Sequence, residues 1–462
     1  MNDEEKREQR FKRITTAPLY PLLWKMAIPS MIGMVVGTVY SMTDTYFVGK
    51  LNNTDLTASV GVVYSFISII QAIGFWFGYG SGNYISRKLG KKDIEGASTM
   101  AATGIVIALI AGAVITVLGL LFIRPLAVLL GGGTSETLLN ATVEYLRITI
   151  FTVPFQLIAN VIYNQLRLAG SAGNSMIGFL AGMLINMILD PVFILVLKLG
   201  ISGAAFASMA GQIAGMIILI IQTTRDGNVN IVLKKARLDK EHIKEILAGG
   251  APNFCRQGIT SITTALMNNV AGGFGPYSIA TITITGRIIY IAYALVIGFG
   301  QGFQPICALN YGAGLYKRVK TAFNYAQLTA TGFLCVSSFI LMINAEFLIT
   351  RFTDEPDVIA LGVKILLAQC IVLPLLGYYI LIGMMLQNIG RFLEATMVTI
   401  SENGIFLIIT VLIMPAFMGI NGLIWCKPAA SILALLTGIL IGWRAWHLYL
   451  KEEKKENVHQ NV

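Results

Sequence analysis

Twelve mostly apolar runs, each about 20 residues or longer, divide this chain of 462 residues. That pattern leaves little choice of fold. Inside a bilayer every backbone N–H and C=O needs an internal partner, so only helices and closed barrels cross it. Runs of this length suit helices, since about 20 residues cover the hydrocarbon core. Their approximate limits are 24–48, 57–83, 98–122, 139–163, 172–197, 203–223, 246–271, 278–303, 322–344, 361–387, 394–415 and 420–446. Charged residues make up 13% of the chain, against about 25% in soluble domains. The expected fold is therefore all-α and polytopic, with twelve transmembrane helices.

The basic residues orient the spans. Of 34 Lys and Arg, 25 fall on one side, five on the other and four inside spans. The rule that cytoplasmic loops carry the excess puts both termini in the cytoplasm of a cell (inner or plasma) membrane. The charge-dense N-terminus lacks the short apolar core of a cleavable signal, so the first span is expected to be retained.

The chain also repeats at a period of about 220 residues. Gly78-Tyr-Gly80-Ser-Gly82 returns as Gly298-Phe-Gly300-Gln-Gly302, Pro154 as Pro374, Gly170 as Gly390, and Pro29 as Pro252. Each half has six spans and starts on the same side, so the repeats are parallel and should flank a central cavity. The expected domains are a tail over 1–23, a six-helix lobe over 24–223, a cytoplasmic linker over 224–245, a second lobe over 246–446, and a tail over 447–462. The glycine runs lie within apolar spans, without the strand–turn–helix context of a nucleotide site. Close helix packing is the better reading.

Charges inside the spans carry the functional signal. Asn186-Met-Ile-Leu-Asp190-Pro191 lies in the fifth span and Asp44, one turn after Tyr40, in the first. A mid-bilayer aspartate costs about 2.5–3.5 kcal/mol on insertion scales, so it needs a partner, a proton or a wet cavity. Asn186 and Asp190 share a helix face, and Pro191 frees the carbonyl one turn back. A structural hydrogen-bond knot at a kink is the plainer alternative. Neither aspartate recurs in the second repeat: the matching positions are Met267 and Thr410. A scaffold residue would tend to recur, so the first lobe carries a specialised site. Asp44, Asp190, Asn186 and Tyr40 are the candidate cation-coupling residues, holding H⁺ or, alternatively, Na⁺ on carboxylate and amide oxygens.

Tyr145, Asn160, Tyr163, Asn164 and Ser208 offer polar groups nearby and are candidates for lining a substrate cavity. Arg256, Arg287 and Glu402 join them from the second lobe, where a buried Arg–Glu pair is the competing reading. Glu144 and Arg147, three apart, suggest a local ion pair. No cofactor and no structural metal is expected, since the five cysteines lack CxxC spacing and the three histidines do not cluster. No nucleophile elbow or catalytic carboxylate pair appears, which argues against an enzyme. Basic residues do not cluster with exposed aromatics, which argues against nucleic acid.

With these features assembled, the chain resembles the multidrug and toxic compound extrusion (MATE) family. The matching stretches are Met26-Ala-Ile-Pro-Ser30 through Tyr40-Ser-Met-Thr-Asp44, Asn186-xxx-Asp190-Pro191, and Gly200-Ile-Ser-Gly203-Ala-Ala-Phe-Ala-Ser208. Within the family it is similar to the branch with N-lobe aspartates, that of DNA-damage-inducible and Staphylococcus-type multidrug exporters. The NorM branch instead uses acids in the seventh and tenth spans. This chain has Phe254-Cys-Arg-Gln257 and Leu375-Leu-Gly-Tyr-Tyr-Ile380 there, without an acid. Glu402 departs from the basic residue common at that site. The resemblance implies a monomeric, cation-coupled antiporter that exports amphipathic, often cationic, organic molecules by alternating access. A flippase for a lipid-linked sugar or peptidoglycan precursor, with Arg256 and Arg287 on pyrophosphate, is the alternative.

Overall fold

A computed structural model describes the backbone of residues 2–49 and 54–459. Side chains are described for these except 38–46, 48, 49, 54 and 447–459. Tyr40 and Asp44 therefore lie outside the described side chains. Among the described residues there is no strand.

All twelve expected spans are helices. They are α2 (Leu19–Gly49), α3 (Thr54–Gly90), α4 (Ile94–Leu121), α6 (Glu136–Leu168), α7 (Ala172–Pro191) and α8 (Gly200–Thr223), then α9 (Lys240–Gly272), α10 (Pro276–Gly312) and α11 (Tyr316–Ile343). The tenth span is α13 (Pro356–Val372) and α14 (Leu376–Asn388), joined by a 3-10 turn. Pro374 sits in that turn, and its missing N–H explains the break. The eleventh is α15 (Phe392–Ile400), a π turn over Ser401–Phe406, and α16 (Leu407–Met418). The twelfth is α17 (Ile420–His459).

Among the described residues, eleven of these are long and apolar enough to cross a membrane. The twelfth, α9, has the length at 33 residues, but Asn253, Arg256, Gln257, Asn268 and Asn269 dilute its apolar character.

Three short helices were not legible in the apolar pattern: α1 (Asp3–Thr16), α5 (Ile123–Leu129) and α12 (Ala345–Thr350). The last two precede the fourth and tenth spans and obey the repeat. The charged N-terminus, read from sequence only as a tail, is the capped helix α1. Asn2 accepts from the Glu5 N–H while the Glu5 carboxylate accepts from Asn2 N–H, a reciprocal box that satisfies two orphan donors.

The described chain divides into two compact units. One comprises residues 1–17 and 32–250, the other 18–31 and 251–462. The division crosses α2 and α9, in each case within a turn of the proline inside the helix, Pro29 or Pro252. Proline removes one helical hydrogen bond and clashes with the carbonyl four residues back, so these are the points where a helix bends most readily.

Within the first unit, α1 lies over the loops that end α6 and α8. Ile14 is fully buried against Gly170, whose φ of +82° suits a glycine turn. Arg10 donates to Asn228 Oδ1 at 2.6 Å and to the Asp226 carbonyl. Burial, then the neighbouring Arg13, pulls the Arg10 guanidinium down to about 10. The repeated glycine runs serve packing, with their faces exchanged between units. In the first, Gly78 and Gly82 face α6 at Asn164 while Gly80 meets the Ile246 backbone of α9. In the second, Gly298 and Gly302 face Met31 and Ala27 of α2, while Gly300 faces Met384 of α14.

Candidate functional site

The fifth span builds its site by packing small residues on one side. Gly182 lies against Gly211 and Gly215 of α8, and a Cβ at Gly211 would come within 2.9 Å of the Asn186 Cβ. The close crossing brings Asn186 to Ser208, and its Nδ2 donates to Ser208 Oγ at 3.1 Å. One turn on, Asp190 is fully enclosed, and Asn186 is 2% exposed. Pro191 cannot donate to the Met187 carbonyl, and the helix relaxes into a π turn over Val192–Val196. The Leu197 N–H closes that turn on the Val192 carbonyl at 2.8 Å. Carboxylate, amide, proline and widened helix thus occupy about three turns of the fifth span.

The other first-lobe candidates do not all converge there. Tyr163 stacks on Phe179, ring centroids 4.7 Å apart, and its hydroxyl reaches the Met176 sulfur at 3.9 Å. That is the opposite end of α7, roughly 20 Å from Asp190 at 1.5 Å per residue. Asn160 and Asn164 face Gly74 and Gly78 of α3. Asn164 accepts from Arg167 Nη2 at 3.0 Å. Arg167, one of the 34 basic residues, is fully buried, 5.0 Å from the Tyr79 ring centre. Tyr145 is buried on α6.

The second unit has one buried carboxylate of its own. Glu402 is 2% exposed and stands in the π turn of the eleventh span. Its Oε1 accepts from Ser431 Oγ of α17 at 2.8 Å and its Oε2 from Asn403 Nδ2 at 3.2 Å. Hydroxyls from two further helices hold the backbone in and just before this turn. Thr263 of α9 donates to the Asn403 carbonyl at 2.6 Å, and Tyr379 of α14 to the Thr399 carbonyl at 2.9 Å. Among the described residues no ion pair joins Glu402 to Arg256 or Arg287, and Arg287 is exposed. The Arg–Glu pair suggested by the sequence is therefore not made. Ser431, Thr263 and Tyr379 were missed because nothing local marks them; they meet Glu402 and its turn only through helix packing.

The two acids Asp190 and Glu402 are the buried carboxylates among the described residues, one per unit. Each lies at or in a π turn of a repeat-related span. Two six-span repeats with enclosed carboxylates on broken helices define a polytopic membrane transporter.

The MatE family model matches residues 29–192 and 252–413, one block in each repeat, and the chain belongs to that family. Both blocks begin at the repeated prolines. The chain is 28% identical to the multidrug export protein MepA of Staphylococcus haemolyticus, over 92% of this chain and 93% of that protein. It is 27% identical to MepA of Staphylococcus aureus, over 92% and 94%. Its fold matches a MATE structure in a bent conformation with a TM-score of 0.89 at 25% identity, covering 96% of this chain and 99% of that one. An outward-facing multidrug resistance MATE transporter matches with a TM-score of 0.87 at 25% identity, covering 95% and 98%. The protein is a multi-pass membrane transporter and not an enzyme.

Proposed function

We propose that the protein is a cation-coupled multidrug antiporter of a cell membrane, with both termini cytoplasmic, acting as a monomer on small organic molecules. The observation that supports the reading is the enclosed Asn186–Asp190–Pro191 segment beside Ser208, which sets a buried carboxylate against a break in its helix. The names of the Staphylococcus relatives support drug export as the activity.

Asp190 and Asp44 are assigned to the coupling ion, with Asn186 and Tyr40 orienting them. A proton on Asp190 removes a charge and exchanges an acceptor for a donor beside the π turn. Na⁺ would instead recruit the Asn186 carbonyl oxygen. Either changes which helix geometry is favoured, and a drug that prefers one geometry is thereby coupled to the ion. Tyr145, Asn160, Tyr163, Asn164, Ser208, Arg256 and Arg287 remain assigned to the wall of the substrate path. The enclosed hydrogen bonds of Glu402 favour a supporting place behind that wall.

The test is dye efflux from inverted vesicles with pH and Na⁺ gradients imposed separately. Efflux of cationic dyes driven by one gradient supports the reading and names the ion. Transport of a lipid-linked sugar with no dye efflux would favour the flippase.

A further inference from the structure

A cleft of about 430 Å³ opens on the first unit between α5, α6 and α8, lined by Arg124, Asn140, Glu144, Arg147, Ser202 and Phe206 among others. It lies where an outward face of α6 changes character. Glu136, Asn140, Glu144, Arg147 and Phe151 follow one another at helical spacing, and all are exposed. The stripe is polar through Arg147 and apolar from Phe151, which is 51% exposed. About 20 residues of α6 remain beyond Arg147, enough for one bilayer crossing. A crossing over those residues would put Arg147 at the level where headgroups meet acyl chains.

Among the described residues, the charges in the cleft are not matched. Glu144 accepts from Ser202 Oγ at 2.5 Å. The Glu144–Arg147 ion pair expected from their spacing is not formed. Among the described residues Arg147 makes no ion pair, and Arg124 reaches only the Asn140 Oδ1, at 3.4 Å. Two guanidinium groups and one committed carboxylate leave the cleft with a net positive charge. Phe206, 38% exposed on α8, lines it with apolar surface, and exposed Phe151 lies one turn beyond Arg147 on α6.

We infer that this cleft binds the phosphodiester headgroup of an anionic membrane lipid. Arg124 and Arg147 would hold the phosphate oxygens, since guanidinium donors match that geometry bidentately. The acyl chains would run past Phe206 and Phe151. A free phosphate shares the headgroup's chemistry but gains nothing from those rings.

The experiment uses the full chain purified in detergent. Thermal stability and native mass spectrometry are read against added phosphatidylglycerol, phosphatidylcholine and inorganic phosphate. The expected result is a saturable rise in melting temperature and retained adducts with phosphatidylglycerol alone. Arg124→Gln with Arg147→Gln should weaken that affinity about ten-fold or more, while Arg351→Gln, in the other unit, leaves it unchanged. Should the double variant not fold, Arg147→Lys keeps the charge without the fork and should weaken binding part-way. Equal effects of phosphatidylcholine, or of phosphate at the same concentration, would overturn the inference. So would undiminished phosphatidylglycerol binding by a folded double variant.

Discussion

Glu402 accepts a hydrogen bond from Ser431 at 2.8 Å, joining the eleventh and twelfth spans. The position about 220 residues earlier is Gly182, which joins the fifth and sixth spans by bare contact with Gly211. One repeat closes this helix pair with small residues, the other with a buried carboxylate. Small residues let backbones approach without polar atoms to satisfy. A carboxylate in the same place must keep its hydrogen bonds, and that ties the π turn to α17.

Replacing Ser431 with Ala should therefore destabilise the solubilised protein by about 1–3 kcal/mol, the cost of leaving a buried acceptor short of its donor. Glu402→Gln keeps an acceptor oxygen for Ser431 and should cost less. A thermal-shift comparison reads both. A Glu402→Gln protein of full stability with a changed drug spectrum would place Glu402 on the substrate wall instead.

Asp190→Asn mimics the protonated carboxylate at nearly constant volume. It should abolish gradient-driven dye efflux while leaving the protein folded and able to bind drug. Asn186→Ala should impair efflux less, since water can replace the amide toward Ser208. The measurement is efflux per folded transporter at a fixed gradient. Near-normal coupled efflux from both Asp190→Asn and Asp44→Asn would remove these residues from the coupling role.

Gly80→Ala tests the helix crossing in the first unit. A Cβ there would overlap the Ile246 carbonyl, a backbone atom with little freedom to give way. A loss of about 1–3 kcal/mol is expected from overpacking, seen as a lower melting temperature. Gly173→Ala, with open space around its position, should be neutral. Equal stability of the two variants would show that the crossing is looser than this geometry.

Asp93 gives a pH dependence with a definite sign. It caps α4 through the Gly96 N–H at 2.8 Å and pairs with Lys88 at 2.7 Å. The Lys88 hydrogen bond, then the Gly96 bond, holds its carboxyl below the ordinary value of 3.8. A depressed folded value means stability that is present above the ordinary pKa and lost as pH falls through the folded one. Asp93→Ala should thus cost about 1 kcal/mol at neutral pH, mostly from the cap, since the half-exposed ion pair is screened. The gap from the parent protein should narrow below about pH 4. A gap that widens on acidification would reverse the assignment.

The number and order of the spans and the parallel repeat were legible in the linear pattern, because a bilayer admits few solutions for apolar runs of one helix length, and short motifs such as Asn186-xxx-Asp190-Pro191 carried the family. That pattern also singled out Asp190, since an acid inside such a run is conspicuous by cost alone. It did not reveal the π turns, because hydrogen-bond register within a helix leaves the apolar pattern unchanged. The capped helix α1 was hidden by its charge. Which polar groups meet was set by helix packing. Arg167 became a buried cation over Tyr79, Glu144 turned to Ser202 rather than Arg147, and Glu402 found Ser431 rather than an arginine. Those partners sit on different helices, and their meeting depends on crossing geometry set by glycines such as Gly182 and Gly211, whose effect no linear spacing encodes.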